Sequence, residues 1–249
     1  MKNFSLEIIK EIFTYLGVNI TTLQEANNYA QTHLLIIGES WDLQPHTPLH
    51  KLMHNNKESL FKGLKKLGMI DKIYPVQKEY DYALVMGSLE EDVSMRIEFL
   101  RELYNQNYIF KQIILLCGER QLLDIEKENL PENIISEAQM MQYLFALKFK
   151  DKKAILANTP TIEQTDGTLK RPNTDDTLHY FNTLKLSPGS CLVISNAPYI
   201  LRQTKVAQLI LTQAKFPVDG AGPARIDDYD IVLLMDEFAR TLYVEMKKY

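Results

Sequence analysis

Three arginines come soon after apolar runs of strand length, where their side chains could bind an anion. Arg96, Arg120 and Arg202 each stand close behind the end of such a run. The planar guanidinium group can donate two parallel hydrogen bonds to a carboxylate or a phosphate. A solvated surface position is the alternative explanation for each of these arginines.

Acidic side chains crowd the positions that follow Gly87, in the order Glu90, Glu91 and Asp92. They complement the positive end of a helix dipole, and they would repel a phosphate placed at that helix terminus. The stretch therefore favours a hydroxyl-rich or cationic ligand group, such as a ribose or a sulfonium, over a pyrophosphate.

Hydroxyl side chains open two predicted helices, where each could cap the helix or contact a ligand. Ser136 and Gln139 have the spacing of a capping box, and Thr174 can cap the helix that follows it. Capping does not explain Glu137, which we expect to point into a cleft. Because Glu137 and Arg202 both follow strand ends, we expect one rim of the sheet to carry both.

Three histidines, His46, His50 and His54, are spaced by four residues and would share one face of a helix. Such spacing suits zinc ligands. However, Pro45 and Pro48 interrupt a helix at its start, and no cysteine lies nearby to complete a ligand set. We therefore predict a solvated helix face and no metal.

The composition excludes several classes of protein. The formal net charge of −4 argues against a broad nucleic-acid surface, and no run approaches the ~20 apolar residues of a membrane span. The N-terminus carries acidic residues and no long apolar core, so it does not resemble a signal peptide. Cys117 and Cys191 fall in predicted core strands and are expected to be free thiols, which together with the preceding points predicts a cytoplasmic protein.

Short apolar runs predict the architecture of the chain. Four runs are apolar on both faces, as in parallel strands covered by helices, and they span residues 82–86, 113–117, 154–157 and 191–194. Gly87 and Gly118 end the first two and would let the backbone approach a ligand, with turn geometry as the alternative. The pattern predicts an open α/β sheet of at least four strands, whose ligands bind beyond the carboxyl ends.

In most of the remaining chain, apolar residues recur at the spacing of a helix. Helices are predicted over residues 4–16, 23–31, 57–67 and 91–105, after Ser136 and Thr174, from Pro198 and over the last apolar stretch from Ile231. Residues 33–38 fit either a helix or a strand. Residues 158–173 and 218–223 are predicted to be loops. Residues 1–75 are predicted to form a helical extension packed on a body of residues 76–249. The sequence contains no G-x-S-x-G, P-loop or G-x-G-x-x-G motif.

A series of short motifs gives the chain a family resemblance. In order, the motifs are Gly87-Ser88, Arg96-Ile97, Cys117-Gly118, Ser136-Glu137-Ala138, Thr174-Asp175-Asp176-Thr177 and the stretch from Ser195 to Arg202. This order resembles the YdcF/SanA/ElyC family of bacterial proteins over about residues 80–215. The chain departs from the family pattern in three places: Cys117-Gly118-Glu119 replaces Ser-Gly-Gly, Tyr199 replaces a histidine, and Ser195-Asn196 replaces Thr-Ser.

The resemblance implies a Rossmann-like three-layer α/β fold and a role in cell-envelope or peptidoglycan-precursor metabolism. It also implies an adenosyl-methionine-type ligand, while the cofactor and the oligomeric state stay open. The predicted ligand-binding residues are Gly87, Ser88, Arg96, Gly118, Glu119, Arg120, Ser136, Glu137, Thr174, Ser195, Asn196, Tyr199 and Arg202. We expect a small-molecule-binding, transferase-like protein for a nucleoside-like ligand or a phosphorylated envelope intermediate. The alternative is a catalytically silent interaction or regulatory protein on the same scaffold.

Overall fold

The computed structural model describes residues 4–36, 47–165, 167–224 and 229–247. They divide into two compact units. One unit comprises Lys72–Asn196 and Gln203–Pro223, and the other comprises Met1–Asp71, Ala197–Arg202 and Ala224–Tyr249. None of the described helices is both long and apolar enough to cross a bilayer.

The first of these units is built on a five-stranded parallel sheet. Its strands are β1 (Glu79–Met86), β2 (Ile109–Gly118), β3 (Ala154–Thr159), β6 (Cys191–Ile194) and β7 (Val218–Ala221). They lie side by side in the order β3-β2-β1-β6-β7, and every neighbouring pair is parallel. The predicted Rossmann-like α/β fold is confirmed.

Helices cover both faces of the sheet, which explains why its strands are apolar on both sides. The helices are α5 (Glu90–Asn105), α6 (Asp124–Lys127), α7 (Glu137–Lys148), α8 (Thr174–Thr183) and α9 (Ile200–Leu211), the last of which also contributes residues to the other unit. On one face, Ala83 and Val85 of β1 join the core formed with α5 and α7. On the other face, Tyr82 packs edge-on against Phe181 of α8 and against Phe216.

The strand order reverses between β1 and β6. The chain runs outward from β1 through β2 to β3, then returns to the other side of β1 with β6 and β7. In open α/β sheets, such a reversal of strand order marks the place where ligands bind, beyond the carboxyl ends of the strands. This position is the topological switch point of the sheet.

Two predicted loops contain strands. The stretch 218–223 includes β7, although Asp219 and Gly220 make it look like a turn, because its backbone pairs with β6 from Cys191 to Ile194. The stretch 158–173 includes a two-stranded antiparallel hairpin, formed by β4 (Ile162–Glu163) and β5 (Leu169–Lys170).

The starts of α8 and α9 differ from the sequence prediction. Asn173, and not Thr174, caps α8, because its side chain accepts from the backbone N–H of Asp176 while the Asp176 carboxylate accepts from the backbone N–H of Asn173. Pro198 is not the first residue of a helix. It follows a cis peptide bond in a turn, and α9 begins at Ile200.

The other unit is helical. It contains α1 (Leu6–Tyr15), α2 (Leu23–His33), α3 (Pro48–Asn55), α4 (Lys57–Lys66) and the C-terminal α10 (Ile231–Met246). Thr22 caps α2 in a capping box with Glu25. Helix α2 ends at His33, so the apolar residues that follow do not continue it. Leu34–Ile36 forms no strand either. Residues 37 and 38 lie outside the described part of the chain.

Helix α10 packs against the N-terminal helices within this unit. The Phe238 ring stacks on Phe4 and contacts Phe13 of α1, with centroid distances of 6.3 and 6.1 Å. Gln31 of α2 donates to the carbonyl of Ala239. The predicted boundary between a 1–75 extension and a 76–249 body stays a prediction, while the compact unit that holds the first 71 residues also holds α10.

Candidate functional site

A buried hydrogen-bond network joins the two loops at the switch point. Asp92, at the start of α5, is 3% exposed. One of its carboxylate oxygens accepts from the Ser88 hydroxyl at 2.8 Å, and the other accepts from the Asn196 amide at 2.9 Å. The end of β1 and the end of β6 are thereby tied to the same carboxylate.

Arg96 completes this network one turn further along α5. Its Nε donates to Asn196 Oδ1 at 2.7 Å, and its Nη1 donates to the carbonyls of Met86 and Gly87 at 2.8 and 2.9 Å. The residue is fully buried. Its guanidinium therefore holds the end of β1 in place and is not presented on the rim of the sheet.

A second charged cluster surrounds Arg120, just after β2. Both Nη atoms donate to the Glu126 carboxylate, at 2.6 and 2.8 Å, and Nε donates to Glu137 at 2.8 Å. Nη2 also donates to the carbonyl of Ser88 at 2.7 Å. The side chains of Arg120, Glu126 and Glu137 are 6%, 2% and 4% exposed, so two buried carboxylates share one guanidinium.

The pKa values of the two carboxyl groups in this cluster are shifted in opposite directions. Glu137 is held by a single Arg120 nitrogen, and its burial raises the pKa despite the nearby guanidinium. Although burial acts to raise the pKa of Glu126, the bidentate Arg120 pair and the backbone N–H groups of Leu123 and Glu90 outweigh it and lower that pKa. Glu137 is thus the carboxyl of the pair that more readily takes up a proton.

Gly87 leaves room for Glu137 at the end of β1. A Cβ atom at this position would overlap Glu137 Oε1 and would lie 2.8 Å from the carbonyl oxygen of Leu116. The absence of a side chain therefore admits a protein carboxylate. This contact gives Gly87 a packing reason beyond the turn geometry and the ligand approach considered from the sequence.

The loop after β2 is fastened to the β4–β5 hairpin. A Cβ on Gly118 would meet Pro172 at 3.1 to 3.4 Å, and the Glu119 carboxylate accepts from the backbone N–H and the hydroxyl of Thr161. Thr174 stands two residues beyond Pro172 as the first residue of α8. The sheet thus gathers these predicted residues at its carboxyl edge.

Besides Ser88, the two other predicted serines at the edge of the sheet also have partners within the protein. Ser136 forms the predicted capping box of α7 with Gln139. The fully buried Ser195 donates to Gln203 Oε1 at 2.6 Å. Both hydroxyls therefore have roles within the protein.

Cys117 does not provide a nucleophile at this edge. Burial raises the pKa of its thiol to about 12, with the Glu137 carboxylate acting in the same direction. The thiol is therefore protonated at neutral pH. Cys191 is likewise a buried free thiol whose pKa is raised to about 12 by burial.

Tyr199 and Arg202 belong to the helical unit, whereas Glu137 belongs to the sheet unit. The Tyr199 hydroxyl lies 3.4 Å from that of Tyr229. Arg202 Nε donates to Glu237 at 2.6 Å, and the two side chains are 19% and 3% exposed. Arg202 and Glu137 are each paired inside their own unit, so their common rim stays a prediction.

The Arg202→Ala variant is expected to lose about 2 kcal/mol of unfolding free energy, because it leaves the buried Glu237 carboxylate without its guanidinium partner. The partial exposure of Arg202 keeps this loss below that of a fully buried pair. Urea unfolding of the variant measures the loss, and Arg202→Lys should recover part of it. A stability within 0.5 kcal/mol of wild type would show that the ion pair contributes little.

An open depression of about 560 Å³ lies on the outer side of α5 and is a weaker candidate site. Its charged lining residues are already paired, since Glu98 contacts both Arg101 and Lys148. It is also removed from the residues that the sequence predicts for ligand binding.

The histidines show no metal site in the described part of the chain. His50 and His54 lie on α3, where Pro48 is the first helical residue after the Thr47 cap, while His46 lies outside the described residues. His54 Nε2 is 3.7 Å from Asp230. The described residues contain no group of three or more His, Cys, Asp or Glu side chains that could hold a metal ion.

Sequence reasoning missed Glu126 and gave Asp92 only a dipole role. Glu126 lies in a polar stretch with no motif, and its role as an ion-pair partner depends on Arg120, six residues earlier. The signal for Asp92 was its place in an acidic first turn, which does not reveal the contact with Asn196, 104 residues away.

The chain matches no protein-family model and no curated protein. Its resemblance to the YdcF/SanA/ElyC family therefore stays a prediction from its motifs.

Proposed function

We propose that this protein binds a small nucleoside-like molecule at the carboxyl edge of its sheet, over the switch point between β1 and β6. The observation that carries the proposal is the reversal of strand order at this point, since open α/β sheets bind ligands in the crevice there. Ser88, which follows the end of β1, is partly exposed and could hydrogen-bond a ligand hydroxyl.

The charge of the rim favours a hydroxyl-rich or cationic ligand. Glu90 and Glu91 stand in the first turn of α5, above the buried Asp92. Burial raises the pKa of Glu90, and the neighbouring carboxylates of Glu91 and Glu126 add to the effect, as expected where negative charge is in excess. A ribose, an amine or a sulfonium is compatible with this field, whereas a phosphate is repelled.

An adenosyl-methionine-type ligand combines these features, because it carries both a ribose and a sulfonium. The motif resemblance supports the same ligand class and a transferase-like activity. The phosphorylated envelope intermediate is less favoured, since Arg96 and Arg120 are engaged with protein carbonyls and carboxylates.

A second candidate is a catalytically silent interaction or regulatory protein. The observation that favours it is the internal pairing of the predicted site: Arg120 is held by two glutamates, Ser195 by Gln203, and Arg202 by Glu237. Tyr199 also stands where the resembling family has a histidine. In this case the protein would have the same fold and catalyse no reaction.

Thermal unfolding in the presence of adenosine, adenosyl-methionine, adenosyl-homocysteine and a sugar phosphate distinguishes the two candidates. A ligand at 100 times its Kd should stabilise the folded protein by about 2.7 kcal/mol. We expect stabilisation by the nucleosides and not by the sugar phosphate. Absence of stabilisation by all four compounds would favour the silent scaffold.

Charge reversal on the rim tests where the ligand binds. The Glu91→Lys variant should weaken binding of adenosyl-methionine several-fold more than that of adenosyl-homocysteine, because only the former carries a sulfonium. Glu79→Lys is the matched control, since Glu79 is an exposed acid at the amino end of β1. Equal effects of both substitutions would place the ligand elsewhere.

A further inference from the structure

The β4–β5 hairpin leaves the sheet at the end of β3 and returns at the start of α8. Before the hairpin, Glu119 holds the chain: its backbone N–H donates to the Thr159 carbonyl at 2.7 Å, and its carboxylate accepts from Thr161. After the hairpin, Pro172 lies against Gly118. Within the two strands, Ile162 and Leu169 are 41% and 69% exposed, so the hairpin itself buries little apolar surface.

One charged side chain of the hairpin reaches the buried Arg120 cluster. Arg171 Nη2 lies 4.0 Å from Glu137 Oε2. The two partners differ sharply in burial, because the Arg171 side chain is 54% exposed and that of Glu137 only 4%. The guanidinium therefore approaches a buried carboxylate from the solvent side.

The charge balance of the cluster gives this contact its importance. Glu126 occupies both Nη atoms of Arg120, which leaves Glu137 a single hydrogen bond to Nε. Arg171 supplies the second positive charge for two carboxylates. The Cys117 thiol also interacts with Glu137, and because it is protonated it adds no charge. When both carboxyls are ionised, the cluster carries one net negative charge in a buried place unless Arg171 or another cation compensates it.

We propose that Arg171 is a latch that holds the β4–β5 hairpin over Glu137, and that a cationic group of the ligand takes its place beside that carboxylate. The ligand half of this inference rests on the proposed function, and the latch half does not. A ligand cation would restore the charge balance that Arg171 provides in the closed hairpin. Binding and hairpin opening would then be coupled.

Hydrogen exchange of the hairpin amides tests the latch without any ligand. The reporters are the amides of Thr161, which donates to Glu119, and of Gln164, which donates to the Thr168 carbonyl. Arg171→Gln should accelerate their exchange by about two- to fivefold, the scale of a partly exposed ion pair. Arg101→Gln is the control, since it removes a surface guanidinium paired with Glu98 on α5.

A double-mutant cycle shows whether Glu137 is the partner of the latch. In a Glu137→Gln background, Arg171→Gln should have almost no further effect on the exchange of these amides. Unchanged exchange in the Arg171→Gln single variant would overturn the latch, as would an equal effect in both backgrounds. The single variant decides the question even if Glu137→Gln does not fold.

Two nucleosides that differ in charge test the ligand half. Arg171→Gln should raise the affinity for adenosyl-methionine several-fold relative to adenosyl-homocysteine, because the competing guanidinium is gone. An unchanged affinity ratio would overturn the exchange of cations. If exchange of the hairpin accelerates but neither nucleoside binds the wild type or the variant, the latch stands, and both the replacement by a ligand cation and the proposed function fail.

Discussion

Arg120→Met should lower the free energy of unfolding by about 3–5 kcal/mol, because it leaves two buried carboxylates without their shared guanidinium. Methionine keeps most of the side-chain volume, so the loss reports charge and hydrogen bonding more than a cavity. The substitution also removes the donor to the Ser88 carbonyl at the end of β1. Urea unfolding of wild type and variant measures the difference.

The pH dependence of this loss identifies its cause. In the wild type, the lowered pKa of Glu126 contributes stability above the usual glutamate pKa, and that stability is lost as the pH falls. The raised pKa of Glu137 has the opposite sign: its contribution is present at low pH and is lost as the pH rises. Once Arg120 is absent, both carboxyls can escape the penalty by protonation, so the deficit of Arg120→Met should shrink as the pH falls.

A neutral version of the whole cluster is the control. The triple variant Arg120→Met, Glu126→Gln, Glu137→Gln should recover most of the stability lost by Arg120→Met, because no uncompensated charge stays buried. The recovery should be incomplete, since Glu126 also accepts from the backbone N–H groups of Glu90 and Leu123. A triple variant as unstable as the single one would show that packing, and not charge, sets the loss.

The second large effect is expected for Gly222→Ala, with a loss of about 3 kcal/mol or more in unfolding free energy. A Cβ at this position would overlap the carbonyl oxygen of Ser195 and lie 2.7 Å from its carbonyl carbon. The backbone has little freedom to move away, since Gly222 exchanges two hydrogen bonds with Ile73 at 2.9 Å and Ser195 donates to Ala221. Thermal and urea unfolding measure the effect.

Gly118→Ala is the matched control for this prediction. Its new Cβ would meet Pro172 at 3.1 to 3.4 Å, a tight contact that small shifts relieve. We expect a loss well below that of Gly222→Ala. Equal losses for the two variants would show that the overlap with Ser195 does not set the cost of Gly222→Ala.

The strands that sequence reasoning found are those whose own side chains are apolar. The runs in β1, β2, β3 and β6 are recognisable because burial on both faces demands apolar residues at every position. Strand β7 was not predicted, because Asp219 and Gly220 are residue types typical of turns. Its strand conformation comes from pairing with β6, and Gly220 fits there because Thr204 fills the space where a side chain would lie.

The candidate site was predictable in its location and not in its connections. The end of each apolar run places Ser88, Arg120 and Asn196 at one edge of the sheet, as a parallel arrangement requires. However, an arginine in a sequence does not reveal whether its partner is a ligand or a protein carboxylate. Arg96 meets Asn196 across 100 residues, and no local pattern carries that information.

The choice of helix caps shows the same limit on a smaller scale. Asn173 and Thr174 are both good capping residues, and propensity alone does not separate them. Asp176 decides between them, because its carboxylate can accept from the Asn173 backbone while Asn173 accepts in return. At Ser136 the same reciprocal pattern with Gln139 was readable, because only one capping residue is available there.

The union of α10 with the N-terminal helices has a consequence for synthesis of the chain on the ribosome. Phe13 and Ala30 lie buried in a unit whose last helix begins only at Ile231, about two hundred residues later. At translation rates of about 5–20 residues per second, the surface that α10 covers stays bare for roughly 10–40 s. All the strands from β1 to β7 are synthesised during that interval. The sheet can therefore fold before α10 is available to pack against the first helices.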